Sequence, residues 1–427
     1  MIMSVRNDVV CTWCGCCCDD IEVRVEDGNI QSIENGCRLS KSKFLNHDRD
    51  RVDSPKIKRS GELVNVSMEE ALEEAADILK DSEFPLIYGL SSTDVEAQRL
   101  STELAEITGA SIDNTSSVCH SPTIFAIQSI GAQECTLGEV KNRADLVFFW
   151  GSNPMSAHPR HPTRYSVMPA GLHTEGGRED RKIISVDVRE TTTAKMADRF
   201  IQIEPGKDYE LFSAIRATLK GYELKEGVGG ISPVTIEELA QEMKDAKFGA
   251  IYFGLGLTMS TGKHMNVTAA IQLVKDLNDH TKFVINPMRG HFNVAGANKV
   301  LTWLTGYPLG VNFSRGYPIY GPGEFTAVDV LSRKECDAAV VIASDPASHL
   351  PSAASEHLAD IPTVVLDPKF NATTYLADVV VPTAMAGIES EGTTYRMDGV
   401  PLRLKKVVDS DQMSDSEVLE KIIEKVR

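Results

Sequence analysis

The chain repeats itself, and the repeat constrains its fold more than any other feature. Phe84-Pro-Leu-Ile-Tyr-Gly89-Leu is echoed by Ala250-Ile-Tyr-Phe-Gly254-Leu-Gly256, each an apolar strand pattern that ends in glycine before a helix-like segment. Asp145-Leu-Val-Phe-Phe-Trp-Gly151-Ser-Asn-Pro154 is echoed by Asp337-Ala-Ala-Val-Val-Ile-Ala343-Ser-Asp-Pro346, and Ile183-Ile-Ser-Val-Asp187 by Thr363-Val-Val-Leu-Asp367. Asp187 and Asp198 lie 11 residues apart, as do Asp367 and Asp378, and Thr193 and Thr373 open matching Thr-x3-Ala-Asp elements. Short apolar strands alternating with helices predict parallel sheets in doubly wound, Rossmann-like α/β form. A chain of 427 residues also exceeds the roughly 250–300 that one core supports. The expected layout is a small β-rich domain over residues 1–55, an α/β domain built from 56–113 and 286–427, and a second from 114–285, the two α/β domains being pseudo-symmetric.

Ligands of such sheets sit beyond the carboxyl ends of the strands. Gly151, Ser152, Asn153 and Pro154 form one candidate nucleotide loop, and the Ala343 to Pro346 segment with Asp345 forms the other. Asp187 and Asp367 end the following strands, where a carboxylate meets a ribose or a base. These residues also make ordinary turns, but the duplication favours two nucleotide-like ligands. The repeat aligns two further loops of different chemistry, Ser116-Ser-Val-Cys119-His120 and Pro287-Met-Arg289-Gly290-His291. A pseudo-twofold relation would bring a thiolate, an imidazole and a guanidinium together.

Five of the nine cysteines fall between Cys11 and Cys18, and Cys37 follows alone. Clustered cysteines in a chain without an export pattern point to metal or redox chemistry. Asp27-Gly28 is a hairpin turn between Ile21-Glu-Val23-Arg-Val25 and Ile30 to Ile33, and a regular ladder through it sets Cys37 opposite Cys18. Cys11, Cys14, Cys18 and Cys37 are therefore the expected ligands of one [4Fe–4S] cluster, with Cys16 and Cys17 as spacers. Zinc, or thiols that only pack, are the alternatives. Cys135 and Cys336 read as core thiols.

The formal charge of −17 argues against nucleic acid and anionic membrane surfaces, which need a basic face. No apolar stretch reaches the ~20 residues of a membrane span, and Arg6 and Asp8 interrupt the N-terminus where a signal peptide has its apolar centre. A cytoplasmic location is expected.

The motifs together resemble the molybdopterin oxidoreductase family: Cys-x2-Cys-x3-Cys…Cys, Gly151-Ser-Asn-Pro…His158-Pro159, Val186-Asp-Val-Arg…Ala197-Asp198…Pro205-Gly206-Lys-Asp208, Asn286-Pro-Met-Arg289-Gly…Asn293-Val-x-Gly296, and Ala377-Asp-Val-Val-Val-Pro382 with Glu391-Gly-Thr393. Cys119-His120 and Arg289 resemble its formate dehydrogenase branch. The resemblance implies tungsten or molybdenum on two molybdopterin guanine dinucleotides, with Cys119 on the metal and His120 and Arg289 serving the substrate. It assigns cofactor contacts to Gly151, Ser152, Asn153, Pro154, Asp187, Thr191, Gly206, Asp208, Gly290, Asp345 and Asp367. A lysine between cluster and pterin falls to Lys41, with Lys43 as the other choice, because Leu39 holds the usual place. His120 is the candidate proton carrier, since an imidazole titrates near pH ~6.5.

Relatives continue into a C-terminal β-barrel, whereas this chain ends at Arg427. A separate subunit is expected to supply the barrel. The split resembles complexes in which CO2 is reduced to formate with cluster electrons. An amidohydrolase-like subunit then uses the formate to formylate methanofuran in methanogenesis, and polyferredoxin subunits deliver the electrons. A formate dehydrogenase subunit and a non-catalytic electron-transfer relic are the rival readings, and the retention of Cys119, His120 and Arg289 together disfavours the relic.

Overall fold

The structure is a computed structural model that describes residues 3–427. It divides into two compact units, one running to Val118 and resuming at His291, the other spanning Cys119–Gly290.

The Cys119–Gly290 unit is built on a five-stranded parallel sheet in the order Arg199–Gln202, Lys182–Asp187, Leu146–Trp150, Phe248–Phe253, Lys282–Pro287. Its central strands are continuous apolar runs because both sheet faces are covered. On one face Phe148, Trp150, Ile251 and Phe253 pack with Phe212, Leu239 and Ile271 from the helices Asp208–Leu219, Pro233–Asp245 and His264–Leu277. On the other, Phe149 and Tyr252 meet the buried ring of His161. The chain starts at the middle strand, adds two strands to one side, then crosses to the other, so the order reverses between Leu146–Trp150 and Phe248–Phe253. At that reversal the strand-end loops touch backbone to backbone: Gly151 has φ 52°, and a Cβ there would lie 2.8 Å from the Leu257 nitrogen.

The other unit carries a nine-stranded sheet. Its five inner strands, Ser111–Asn114, Pro85–Gly89, Ala338–Ile342, Thr363–Leu366 and Val379–Val381, are parallel. Alternate residues serve opposite faces. Ile87, Val340 and Val364 join a core with the helices Met68–Asp81, Val95–Thr108 and Asp415–Val426, whereas Leu86, Tyr88 and Ala339 face Ala327–Ser332 and Ser352–Asp360. Here the order reverses between Pro85–Gly89 and Ala338–Ile342, and a Cβ on Gly89 would sit 2.2 Å from the Ile342 carbonyl oxygen.

The internal repeat is visible as repeated hydrogen bonds. Asp145 accepts the amides of Lys247 and Phe248, and Asp337 those of Glu83 and Phe84. Asp198 accepts the amide of Ile183 at 2.7 Å, and Asp378 that of Thr363 at 2.9 Å.

Ahead of the nine-stranded sheet lies a three-stranded antiparallel sheet, Met3–Val9, Ile21–Glu26, Asn29–Glu34. The turn at Asp27-Gly28 forms, but the ladder shifts by one between Arg24 and Val25, so Arg24 pairs with Ser32 while Val25 pairs with Ile30. The expected pairing of Cys18 with Cys37 does not occur. A bulge absorbs the extra residue, the ladder stops at Glu34, and Cys37 instead caps the helix Arg38–Leu45.

Candidate active site

Cys11, Cys14, Cys16, Cys17 and Cys18 are buried and Cys37 is half-buried. The Cys11 amide donates to the Cys18 carbonyl at 2.8 Å, closing the loop that carries the thiols. Cys17, at φ 37°, turns its thiol away to the Phe292 carbonyl at 3.1 Å. Cys37 accepts the Ser40 amide on its sulfur at 3.5 Å. Among the described residues, no three Cys, His, Asp or Glu side chains converge at single-ion distance.

Lys43, rather than Lys41, lies beside these thiols. Lys41 is exposed, whereas the Lys43 ammonium donates to the Thr12 carbonyl at 2.6 Å and sits over the Phe292 ring. Burial pushes its pKa down to about 8, against the pull of the Cys11 thiol. The inward side of the helix Arg38–Leu45 passes through position 43, a periodicity too short to read from sequence. Lys43 lines a cavity of ≈ 350 Å³ with Trp13, Ala343, Asp367, Lys369 and Asp415. Asp367 is buried, and burial pushes its carboxyl up to about 7. Asp345 is engaged within the fold, where it accepts the amide and the hydroxyl of Thr373.

In the other unit a cavity of ≈ 290 Å³ opens at the strand-order reversal, lined by Gly151, Asp187, Gly206, Asp208, Gly256 and Ser260. Of the residues expected there, Asp208 is already paired: it accepts the Trp150 indole N–H at 2.8 Å, and Trp150 stacks on Phe212. Asp187 accepts the Val188 amide, and burial raises its pKa. Thr191 caps the helix Thr192–Met196, Asn153 accepts from Thr193, Ser152 is buried, and Pro154 occupies the first turn of a four-residue helix. Gly290 is exposed, with nothing within 4 Å of a Cβ built on it.

Cys119, His120 and Arg289 belong to this same unit. Burial pushes the Cys119 thiol up to about 12, with the Arg289 charge opposing. A reactive cysteine is held below its ordinary pKa, so this thiol is a poor free nucleophile; a coordinated metal, which deprotonates a thiol outright, suits it. Its backbone is fixed by the Thr258 hydroxyl, which donates to the Cys119 carbonyl at 2.9 Å. His120 is buried, and burial followed by the Arg289 charge holds its pKa down to about 3. It is therefore a neutral imidazole, not the ring poised near neutral pH that the sequence suggested. Its Nε2 donates to the Met288 carbonyl at 3.3 Å, leaving Nδ1 to accept from Thr123 at 3.1 Å.

Sequence reasoning gave His158 no role, yet it shapes the site. Its Nε2 donates to the Arg289 carbonyl at 2.8 Å, fixing the backbone from which the guanidinium projects, and burial keeps it neutral. The His158-Pro159-Arg160-His161 string was the available signal.

The sequence profile of the molybdopterin oxidoreductase family matches residues 51–425. The chain is 52% identical to a subunit of the tungsten-containing formylmethanofuran dehydrogenase 2 of Methanocaldococcus jannaschii, over 100% of this chain and 99% of that one. It is 48% identical to the subunit of the same name from Methanococcus maripaludis, over 99% of both chains. A chain in the crystal structure of the formyltransferase/hydrolase complex from Methylorubrum extorquens with methylofuran superposes with a TM-score of 0.71 at 24% identity, covering 87% of this chain and 98% of that one, a likeness of fold.

Proposed function

The chain belongs to the molybdopterin oxidoreductase family, and from that premise we propose that it is the catalytic subunit of a formylmethanofuran dehydrogenase. In this reading it reduces CO2 to formate at a tungsten or molybdenum centre held by two molybdopterin guanine dinucleotides, with electrons from one [4Fe–4S] cluster. The formate then passes to an amidohydrolase-like partner subunit that formylates methanofuran. The observation that carries the reading is the company of Cys119: a half-buried thiol whose carbonyl accepts from the Thr258 hydroxyl, near the Arg289 charge and beside an imidazole that burial keeps neutral.

The bound metal supplies the two-electron chemistry. This chain's residues select and orient what reaches it. Arg289 directs a forked cation at the oxygen on which charge builds, and a water-poor site strengthens that interaction. His158 and Met288 fix the loop: one donates to the Arg289 carbonyl and the other accepts from His120. With both ring nitrogens engaged, His120 orients, and protons are taken up elsewhere. Each of the two cavities holds a carboxylate at a strand end, Asp187 in one and Asp367 in the other, suited to the N–H edge of a guanine. Cys11, Cys14, Cys18 and Cys37 hold the cluster, and Lys43 adjoins it.

Elemental analysis of the purified protein for tungsten and molybdenum, together with fluorescence of oxidised pterin and release of GMP, tests the proposal. Near-stoichiometric metal with two pterins per chain is expected. Iron and sulfide with neither metal nor pterin would overturn it.

A further inference from the structure

The internal repeat extends to a pair of carboxylates that sequence comparison does not align. Asp208 is the first residue of the helix after the strand Arg199–Gln202, and Asp415 is the first residue of the next helix after the matching strand Val379–Val381. The intervening residues 382–414 hide the match. Both side chains are buried, and each lines its own unit's cavity, Asp208 with Asp187 and Asp415 with Asp367. Each also takes a hydroxyl on Oδ2 from the segment after a central strand, Ser260 at 3.4 Å in one and Thr93 at 2.6 Å in the other. They differ at Oδ1. In Asp208 that atom accepts the Trp150 indole N–H at 2.8 Å. The repeat sets Ile342 where Trp150 stands, and Ile342 has no side-chain donor. Asp415 Oδ1 is buried and makes no hydrogen bond within the chain, and the nearby Thr383 hydroxyl is likewise without a bond of normal geometry. The two cations of this cavity are engaged with backbone, Lys43 with the Thr12 carbonyl at 2.6 Å and Lys369 with the Asn46 carbonyl at 2.7 Å. An enclosed carboxylate oxygen without a donor is costlier than a neutral atom in its place, so it needs a reason.

We propose that Asp415 is a binding residue for the ligand of this cavity, its Oδ1 accepting from the N–H and amino edge of an aminopyrimidinone ring, the edge that guanine and pterin share. The inference rests on the reading of the chain as a carrier of two pterin dinucleotides. Oδ2 is fixed by Thr93, so the carboxylate is held in place before the ligand arrives. The two halves of the duplication then hold their ligands unequally. In one half the carboxylate is spent on Trp150 and stiffens the core; in the other the same carboxylate is kept for the ligand.

Asp415→Asn keeps an acceptor for Thr93 and replaces Oδ1 with a donor that opposes the ligand's own N–H groups. The readouts are pterin and GMP per chain, their rate of loss from the purified holoenzyme in dilute urea, and urea unfolding of the cofactor-free full-length chain; none depends on turnover. The variant is expected to release one of its two pterin dinucleotides about tenfold faster than wild type, as the loss of a hydrogen bond to a charged group implies. Its cofactor-free chain should unfold no earlier than wild type. Thermal unfolding of the cofactor-free wild-type chain with GMP or with neopterin separates the two ends of the ligand. Protection by GMP assigns the guanine and protection by neopterin the pterin ring, in either case weakened in Asp415→Asn. Equal retention by variant and wild type, protection by neither probe, or a cofactor-free variant that is itself destabilised would overturn the inference. A wild-type protein without pterin would overturn the functional reading itself.

Discussion

Asn153 Oδ1 accepts both the amide and the hydroxyl of Thr193, at 3.2 and 2.7 Å. Asp345 Oδ1 does the same for Thr373, at 2.9 and 2.7 Å. Each pair ties a strand-end loop to the start of the next short helix. The two differ at two points: Asn153 Nδ2 donates to Ser156 whereas Ser348 donates to Asp345 Oδ2, and Asn153 Oδ1 also accepts the Thr192 hydroxyl, for which Ala372 has no counterpart.

Because a serine hydroxyl can reverse its role, Asn153→Asp is expected to fold and to hold its cofactor nearly as wild type. Asn153→Ala strands the Thr193 donors and should cost about 1–3 kcal/mol. Urea unfolding and the pterin content of the purified variants check both. An Asp variant as damaged as the Ala variant would show that the amide itself is read by the ligand.

Arg289→Lys should suppress CO2 reduction by roughly a hundredfold or more while tungsten or molybdenum and pterin remain bound. An ammonium is a point charge and loses the planar fork, a change worth several kcal/mol where developing charge is stabilised. Turnover measured beside metal analysis decides the matter, and loss of the metal would make Arg289 a structural residue.

The α/β class and the repeated strand-loop elements were legible because buried parallel strands are written as apolar runs, such as Leu146 to Trp150 and Ala338 to Ile342. Asp145 and Asp337 stood out by position alone, and the structure supplies their task. Three things were not legible. The bulge beyond Arg24 costs one residue of register and leaves no mark in composition. The choice of Lys43 over Lys41 depends on which side of an eight-residue helix faces the thiols. The neutrality of His120 comes from enclosure by residues distant in sequence, Met288 and Arg289, so an ordinary solution pKa was the wrong guide.

Arg181 escaped sequence reading altogether. It is 1% exposed, and its guanidinium donates to the carbonyls of Lys141, Ala144, Val167 and Pro169 and to the Thr174 hydroxyl. Lysine has three donors on a single nitrogen and cannot reach this spread of acceptors. Arg181→Lys should therefore destabilise the protein by about 3–5 kcal/mol, since several buried carbonyls lose charge-assisted bonds worth about 1.5–3 kcal/mol each and partial rearrangement recovers some. Denaturant unfolding measures it; a loss below ~1 kcal/mol would mean the pocket re-forms around the amine.

Asp113 gives a pH dependence with a definite sign. Fully enclosed, it accepts the Gly310 amide at 3.2 Å and the Ala327 amide at 2.8 Å, yet burial outweighs these bonds and pushes its carboxyl up to about 6. In the unfolded chain it titrates near ~3.9. Between those values the folded protein keeps the proton that the unfolded chain has released, so stability falls as pH rises through the window and levels off above it. The full swing is at most about 3 kcal/mol. Other groups titrate too, so the comparison that isolates Asp113 is with Asp113→Asn. The Asn side chain loses one amide bond but never ionises. Its stability deficit against wild type should be largest below pH ~4, shrink as pH rises through ~4–6 and level off toward pH ~7, as the folded and unfolded pKa values require. A deficit constant across that range, measured by thermal unfolding in matched buffers, would show that Asp113 does not titrate there.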